Sequence, residues 1–278
     1  MKNILKIMLM MITIFTIAGS AVYAAEIPVS DQDQLITSSD WTEISNLQDE
    51  MKKEEPDATI DYDKALKVYV DCNLIKLQTA DTKKLTSALE SANYVWVIPF
   101  KMEKTYGMFT VAKGLPLSEE AKSVLTKAEQ EEVKNHAGKW MITEIAEHTV
   151  EPYYDILLEK REALSDCTRV VLVGSQPGMR QPVALGMDDE TARIWISLGY
   201  QYPVMEKIPE TQNVESGVYS FESVAEISDT YIEDSEVSTG SGVQSRSSMK
   251  YVAGIGIIVI GSILILSVLK KKKLEDYE

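Results

Sequence analysis

Histidine and cysteine are scarce in this chain, with two of each in 278 residues. There is also no P-loop, no dinucleotide fingerprint and no Cys/His zinc-ligand spacing. Chemistries that announce themselves by such motifs are therefore set aside, and no cofactor is expected. Only His136 and His148 could serve as imidazole bases, which leaves a serine or cysteine nucleophile little to work with. The chain has no Asn-x-Ser/Thr sequon, which agrees with a bacterial surface protein. The two cysteines, Cys72 and Cys167, leave two readings open. One is a disulfide closing about 95 residues, nominally about 4 to 5 kcal/mol on the chain-entropy model; the other is a pair of buried, unpaired thiols.

Positive charge is also in short supply. The chain carries 28 Lys+Arg against 43 Asp+Glu. Two of the lysines (Lys2, Lys6) precede the first apolar stretch, and four lysines and three acids lie after residue 269. Residues 25–250 thus hold 22 cations against 40 acids, a net charge of −18. A field of that sign repels nucleic acid and anionic lipid; it favours solubility or a cationic partner.

Long apolar runs are confined to the two ends. Tyr251 to Leu269 holds no charge and is followed by Lys270 to Lys273. Nineteen residues at about 1.5 Å each approach the roughly 30 Å of a bilayer core, and the lysines belong on the cytoplasmic side. Near the start, Lys2 and Lys6 precede an apolar stretch, Ile7 to Gly19, and the pattern Val22-Tyr23-Ala24 that suits signal-peptide cleavage. The expected organisation is a signal peptide (1–24), a flexible lead (25–39), an extracellular domain (40–225), a polar stalk (226–250), a transmembrane helix (251–269) and a cytoplasmic tail (270–278). The expected place is the cell membrane, single-pass, with the N-terminal domain outside. The nine-residue tail is too short to fold into a domain of its own.

Within the domain, the periodicity predicts a helix from Asp40, with Trp41, Ile44, Leu47 and Met51 on one face. It predicts strands at Ala65 to Val70 and Leu74 to Leu77, and a helix over Thr82 to Ala92 capped by Asp81. A hairpin follows, Tyr94 to Phe100 and Tyr106 to Val111, where Pro99 needs an edge or bulge. Next come a helix from Ser118 to about His136, the apolar patch Trp140 to Ile145 and a helix opened by Pro152. The segments Thr168 to Val173, Pro182 to Met187 and Thr191 to Ser197 read as an antiparallel meander. Val218 to Val224 reads as a last strand. The fold class expected is α+β: an antiparallel sheet (hairpin plus three-stranded meander) with helices packed on it, and a single C-terminal transmembrane helix. A 75-residue shift aligns one helix-plus-hairpin unit on the other, so two subdomains, about 40–115 and 117–225, are the alternative.

Candidate site residues are few. Ser175 follows a strand, where some hydrolases place a nucleophile, but Gly174-Ser175-Gln176-Pro177-Gly178 lacks the G-x-S-x-G spacing and first of all makes a turn. Trp195, Tyr200 and Tyr202 cluster near the end of the meander, where exposed rings would stack on a sugar or anchor a protein. Glu144, Glu147, His148 and Glu151 would share a helix face, but without a second histidine they read as surface charge, so no metal is expected. Asp57, Asp61 and Asp63 lack the glycine of a calcium loop. The function expected is a membrane-tethered, non-catalytic binding or envelope-assembly module. Its partners would be the bilayer, through the helix, and an envelope protein or glycan; nucleic acid is excluded. The alternatives are a tethered hydrolase and an accessory subunit of a membrane complex.

Overall fold

The computed structural model describes residues 27–148, 152–174, 176, 182–198 and 213–226. The expected signal, anchor and tail lie outside these residues, as does almost all of the expected stalk. Among the described residues, no helix is long and apolar enough to cross a membrane.

The first departure from expectation is at the lead. Residues 27–35 are not a flexible tether: Ile27, Val29 and Leu35 are buried, and Val170 donates its N–H to the Pro28 carbonyl at 2.8 Å. The lead is polar on average, yet its few apolar side chains fall where the sheet needs cover. Helices α1 (Trp41–Ile44) and α2 (Gln48–Glu54), joined by a 3-10 turn, bury Ile44 and Met51 as the periodicity predicts. Strands β1 (Thr59–Ile60) and β2 (Leu66–Tyr69) follow. The patch near Leu74 expected as strand is a 3-10 turn, Ile75–Leu77; its few residues bury Ile75 without entering a ladder. Helix α3 (Thr82–Glu90) is capped as expected, Lys84 N–H donating to the Asp81 carboxylate at 3.1 Å, and it buries Leu85 and Leu89.

The hairpin forms as β3 (Tyr94–Lys101) and β4 (Tyr106–Lys113). Pro99 pairs with Met108 on one side. On the other side β2 reaches only to Val97, and β1 begins opposite Phe100. The Pro99 carbonyl accepts from Asp61 N–H on that side, so the missing N–H falls in the gap between the two shorter strands. The single helix expected from Ser118 to His136 is two, α4 (Glu119–Val124) and α5 (Lys127–His136). Thr126 and Glu129 form a capping box that starts a new helix at the break. No residue of α5 is buried, and Val124 is 79% exposed. None of the expected stripe Ala121, Val124, Leu125, Ala128 and Val133 is buried, because the break after Val124 divides it between two short helices.

Strand β5 (Trp140–His148) resolves the ambiguous patch and takes Glu144 and Glu147 out of the helical spacing that a chelate would need. Helix α6 (Tyr153–Glu159) precedes the meander β6 (Arg169–Val173), β7 (Val183–Met187) and β8 (Ala192–Ser197), all three strands as expected. Strands β9 (Asn213–Glu215) and β10 (Val218–Ser220) complete the sheet, and a helical turn over 221–226 replaces the second half of the expected last strand.

The protein is α+β, but the sheet is mixed. Its order is β5-β4-β3-β2-β6-β7-β8-β10-β9, with β1 beside β3. Every pairing is antiparallel except β2 with β6, which run parallel with Val68 opposite Leu172 and Tyr69 opposite Val173. That seam joins the hairpin half to the meander half, so one sheet spans both proposed subdomains. Strand alternation separates two faces. On one face α6 and the lead cover Leu66, Val68, Val97, Val170 and Leu172. On the other, α3 covers Tyr69, Val171, Val173 and Leu185, while α1 and α2 cover Trp96, Ile98, Phe109 and Val111. Helices α3 and α6 therefore sit on opposite faces of the same β6–β7 region. A true repeat would have placed each one equivalently on its own hairpin.

Candidate functional site

The seam is also where charge enters the interior. Strand β2 sends Leu66 and Val68 to one face and Lys67 and Tyr69 to the other. Register sets Lys67 opposite Trp96 and Tyr69 opposite Tyr94 on β3, and Arg169 stands at the start of β6 on the same face. Above them the lead makes a 3-10 turn, Asp31–Asp33, and the end of α3 supplies Leu89, Glu90 and Ala92. Lys67, Tyr69, Tyr94 and Arg169, with Gln32 and the residues at and just past the end of α3, line a cleft of about 200 Å³ between the two helical covers of this face.

Asp33 is the hub, with its side chain 2% exposed. It accepts from Arg169 Nη2 at 2.9 Å, Tyr69 Oη at 2.8 Å and Ser30 Oγ at 2.7 Å, and Lys67 Nζ lies 3.7 Å away. A buried carboxylate survives only when charges and donors surround it in this way. Lys67 is held differently. Its ammonium lies 4.5 Å from the ring centroid of Tyr94, 5.2 Å from Trp96 and 5.9 Å from Tyr69, a cage of three aromatic faces. Asp40, expected as a helix cap, makes no cap bond; its carboxylate accepts from Tyr94 Oη at 2.9 Å and Trp96 Nε1 at 3.0 Å instead. It thereby fixes the two rings nearest Lys67.

Burial lowers the Lys67 pKa, opposed by the negative charges of Asp33 and Asp40. Burial and then the bond to Asp40 push the Tyr94 phenol up to about 12, and burial with Asp33 raises Tyr69 further still. Both phenols therefore stay protonated as donors at any ordinary pH. The arrangement can bind, orient and neutralise charge.

The residues singled out from sequence lie elsewhere. Ser175, Tyr200 and Tyr202 are outside the described residues. Trp195 is fully buried, packed at 6.0 Å against the ring of Phe221, so it serves the core and offers no exposed face for stacking. Cys72 and Cys167 are free thiols. They belong to core clusters on opposite faces, so the sheet stands between them and no disulfide forms. Burial raises both, to about 12 for Cys72 and about 11 for Cys167. No group of three or more His, Cys, Asp or Glu side chains fit to hold a metal occurs among the described residues. The Gly174 turn does carry a working residue, Gln176. Its buried amide donates to the carbonyls of Cys72 (2.6 Å) and Gly174 (3.0 Å) and accepts from Leu74 N–H (3.1 Å), tying the loop after β2 to the end of β6.

A larger hollow, about 630 Å³, opens at the start of β8 among Thr79, Cys167, Arg193 and Phe221. Its one cation, Arg193, is tied to Asp188, whose carboxylate accepts from the Thr191 and Glu190 N–H groups as well and is held at a pKa of about 2. Size alone does not make it a site, whereas the seam cleft has buried ionised groups aimed at one small volume. No protein-family model matches the chain, and no curated protein or solved structure matches it either. The seam residues were not singled out from sequence because their partners are far apart along the chain: Asp33 and Arg169 meet across 136 positions. One signal was present. Lys67 interrupts the apolar strand Ala65 to Val70 at a position whose neighbours in a ladder would be core.

Proposed function

We propose that this chain is a non-catalytic binding module of the cell surface, tethered through the apolar run 251–269, with the seam cleft as its ligand site. The observation that carries the reading is the cleft. Two cationic side chains, Lys67 and Arg169, are held by Asp33 and three aromatic rings around a volume of about 200 Å³ at the centre of the sheet. Ionised groups cost free energy to bury, and a sheet of this size closes more cheaply over apolar residues. A site for recognition accounts for what that cost retains. The net charge of −18 over residues 25–250 agrees with a soluble outer domain.

The test uses the full chain in lipid nanodiscs, incubated with spent growth medium, washed and analysed by native mass spectrometry. Wild type is expected to retain a small molecule that Lys67→Gln does not. Retention of the same molecules by both chains, or of none by either, would overturn the reading.

A further inference from the structure

Two cations at the seam cleft, Lys67 and Arg169, keep hydrogen-bond donors to spare. Asp33 accepts from Arg169, Tyr69 and Ser30, and one oxygen of Asp40 accepts from Tyr94 and Trp96. Lys67 Nζ, by contrast, has three N–H donors and its nearest carboxylate oxygen at 3.7 Å, beyond hydrogen-bond length, with the ring faces of Tyr94 and Trp96 beside it. Arg169 uses Nη2 for Asp33 and Tyr69, while its Nε is buried and makes no hydrogen bond. A buried donor without an acceptor is uncommon enough in folded proteins to call for a cause. Lys67 lines the cleft with donors to spare, and Arg169 adds its charge beside it while its Nε is closed off from solvent.

The rest of the wall is apolar or neutral: Leu89, Ala92 and the Tyr94 ring, with Gln32 and the exposed Glu90 at the mouth. About 200 Å³ holds roughly six waters at about 30 Å³ each, or one ring-sized organic molecule. A ligand cation would meet two like charges and find the ring faces already occupied by Lys67. A neutral apolar ligand would leave the donors unmet.

We infer that the seam cleft takes a small organic carboxylate, its oxygens on Lys67 beside the charge of Arg169 and its apolar body against Leu89, Ala92 and Tyr94. This rests on the reading of the cleft as the ligand site and names the chemistry that site selects. A carboxylate supplies what the interior lacks, oxygen acceptors beside two desolvated cations, and charge-assisted bonds of this kind are the strong ones. Glu90, exposed at the mouth, works against the anion and thereby sets a limit on affinity.

The inference is tested by equilibrium dialysis of the full chain in nanodiscs against three radiolabelled probes of one shape: benzoate, benzyl alcohol and benzylamine. Benzoate is expected to bind best. Lys67→Gln should weaken it by about tenfold or more, the loss of one hydrogen bond to a charged group. Asp33 keeps Arg169 as its partner in that variant, so the fold should survive. Glu90→Lys, at an exposed position, should tighten benzoate about two- to threefold, the scale of a rim charge. Stronger binding of the alcohol or the amine, lost in Lys67→Gln, would overturn the carboxylate and leave the cleft as a site. Benzoate binding unchanged by both substitutions would overturn the inference, and failure of all three probes would remove the cleft as well.

Discussion

Asp33→Ala is the perturbation that tests the seam most directly. The substitution removes a carboxylate whose side chain is 2% exposed, and with it bonds to Arg169, Tyr69 and Ser30. Breaking a buried ion pair from one side costs about 3–5 kcal/mol, because the remaining charge is left uncompensated. Arg169 and Lys67 keep 20% and 11% of their side-chain surface in contact with solvent, which puts the expectation near the lower end, about 3 kcal/mol. The assay is urea unfolding of the full chain in mild detergent, followed by tryptophan fluorescence. With a slope of about 2 kcal/mol per molar urea, the midpoint should fall by about 1.5 M. Adding Arg169→Met should recover part of the loss, since it removes the cation bonded most closely to Asp33 and leaves only Lys67 without that partner. A midpoint shift under about 0.5 M for Asp33→Ala, or a double variant as unstable as the two singles added, would refute the argument that this network holds the lead and β6 together.

Gln176→Ala leaves Leu74 N–H and two carbonyls without their partner in a buried site, and should cost about 2 to 3 kcal/mol in the same unfolding assay. An unchanged midpoint would show that the loop after β2 does not depend on it. Because Cys72 is part-buried and Cys167 buried, both free and both raised by that burial, native protein should react slowly with iodoacetamide at pH 7.5. Without reductant, denatured protein should take two labels per chain; zero labels would demonstrate a disulfide. Asp188 has its pKa lowered from 3.8 to about 2 by the Thr191 and Glu190 N–H groups and then by Arg193. Its contribution to stability is therefore complete above about pH 4 and lost as pH falls toward 2. Asp188→Asn should flatten the acid limb of stability against pH in that window, and an unaltered limb would count against the turn-held carboxylate.

Much of the sheet was legible because local rules and tertiary packing agree there. Tyr94 to Phe100, Tyr106 to Val111 and the three meander segments all became strands within a residue or two of their expected bounds. The Asp81 cap and the Leu85/Leu89 stripe of α3 were likewise readable, since both are set within one or two helical turns. Readings failed where a short segment's fate depended on distant chain. The lead looks polar and aperiodic, yet Ile27, Val29 and Leu35 find pockets in a sheet that closes more than a hundred residues later. Trp195 reads the same from sequence whether it faces partner or core, and only its place on β8 under Phe221 decides that it is buried. The α4–α5 break follows a capping box, Thr126 with Glu129, that was open to view; the apolar spacing on either side of it masked the signal.

What the sequence determined by itself is the class of most long elements, β5 excepted, and the acidic balance of the chain, because periodicity, caps and charge are properties of neighbours along the backbone. What only the tertiary structure decided is the parallel join of β2 to β6 and, with it, the cleft. Pairing those two strands brings Asp33, Lys67, Tyr69 and Arg169 to one place. None of these residues carries a local signature of the others, since an ion pair is set by distance in space and the chain between them is free to take either sign of charge.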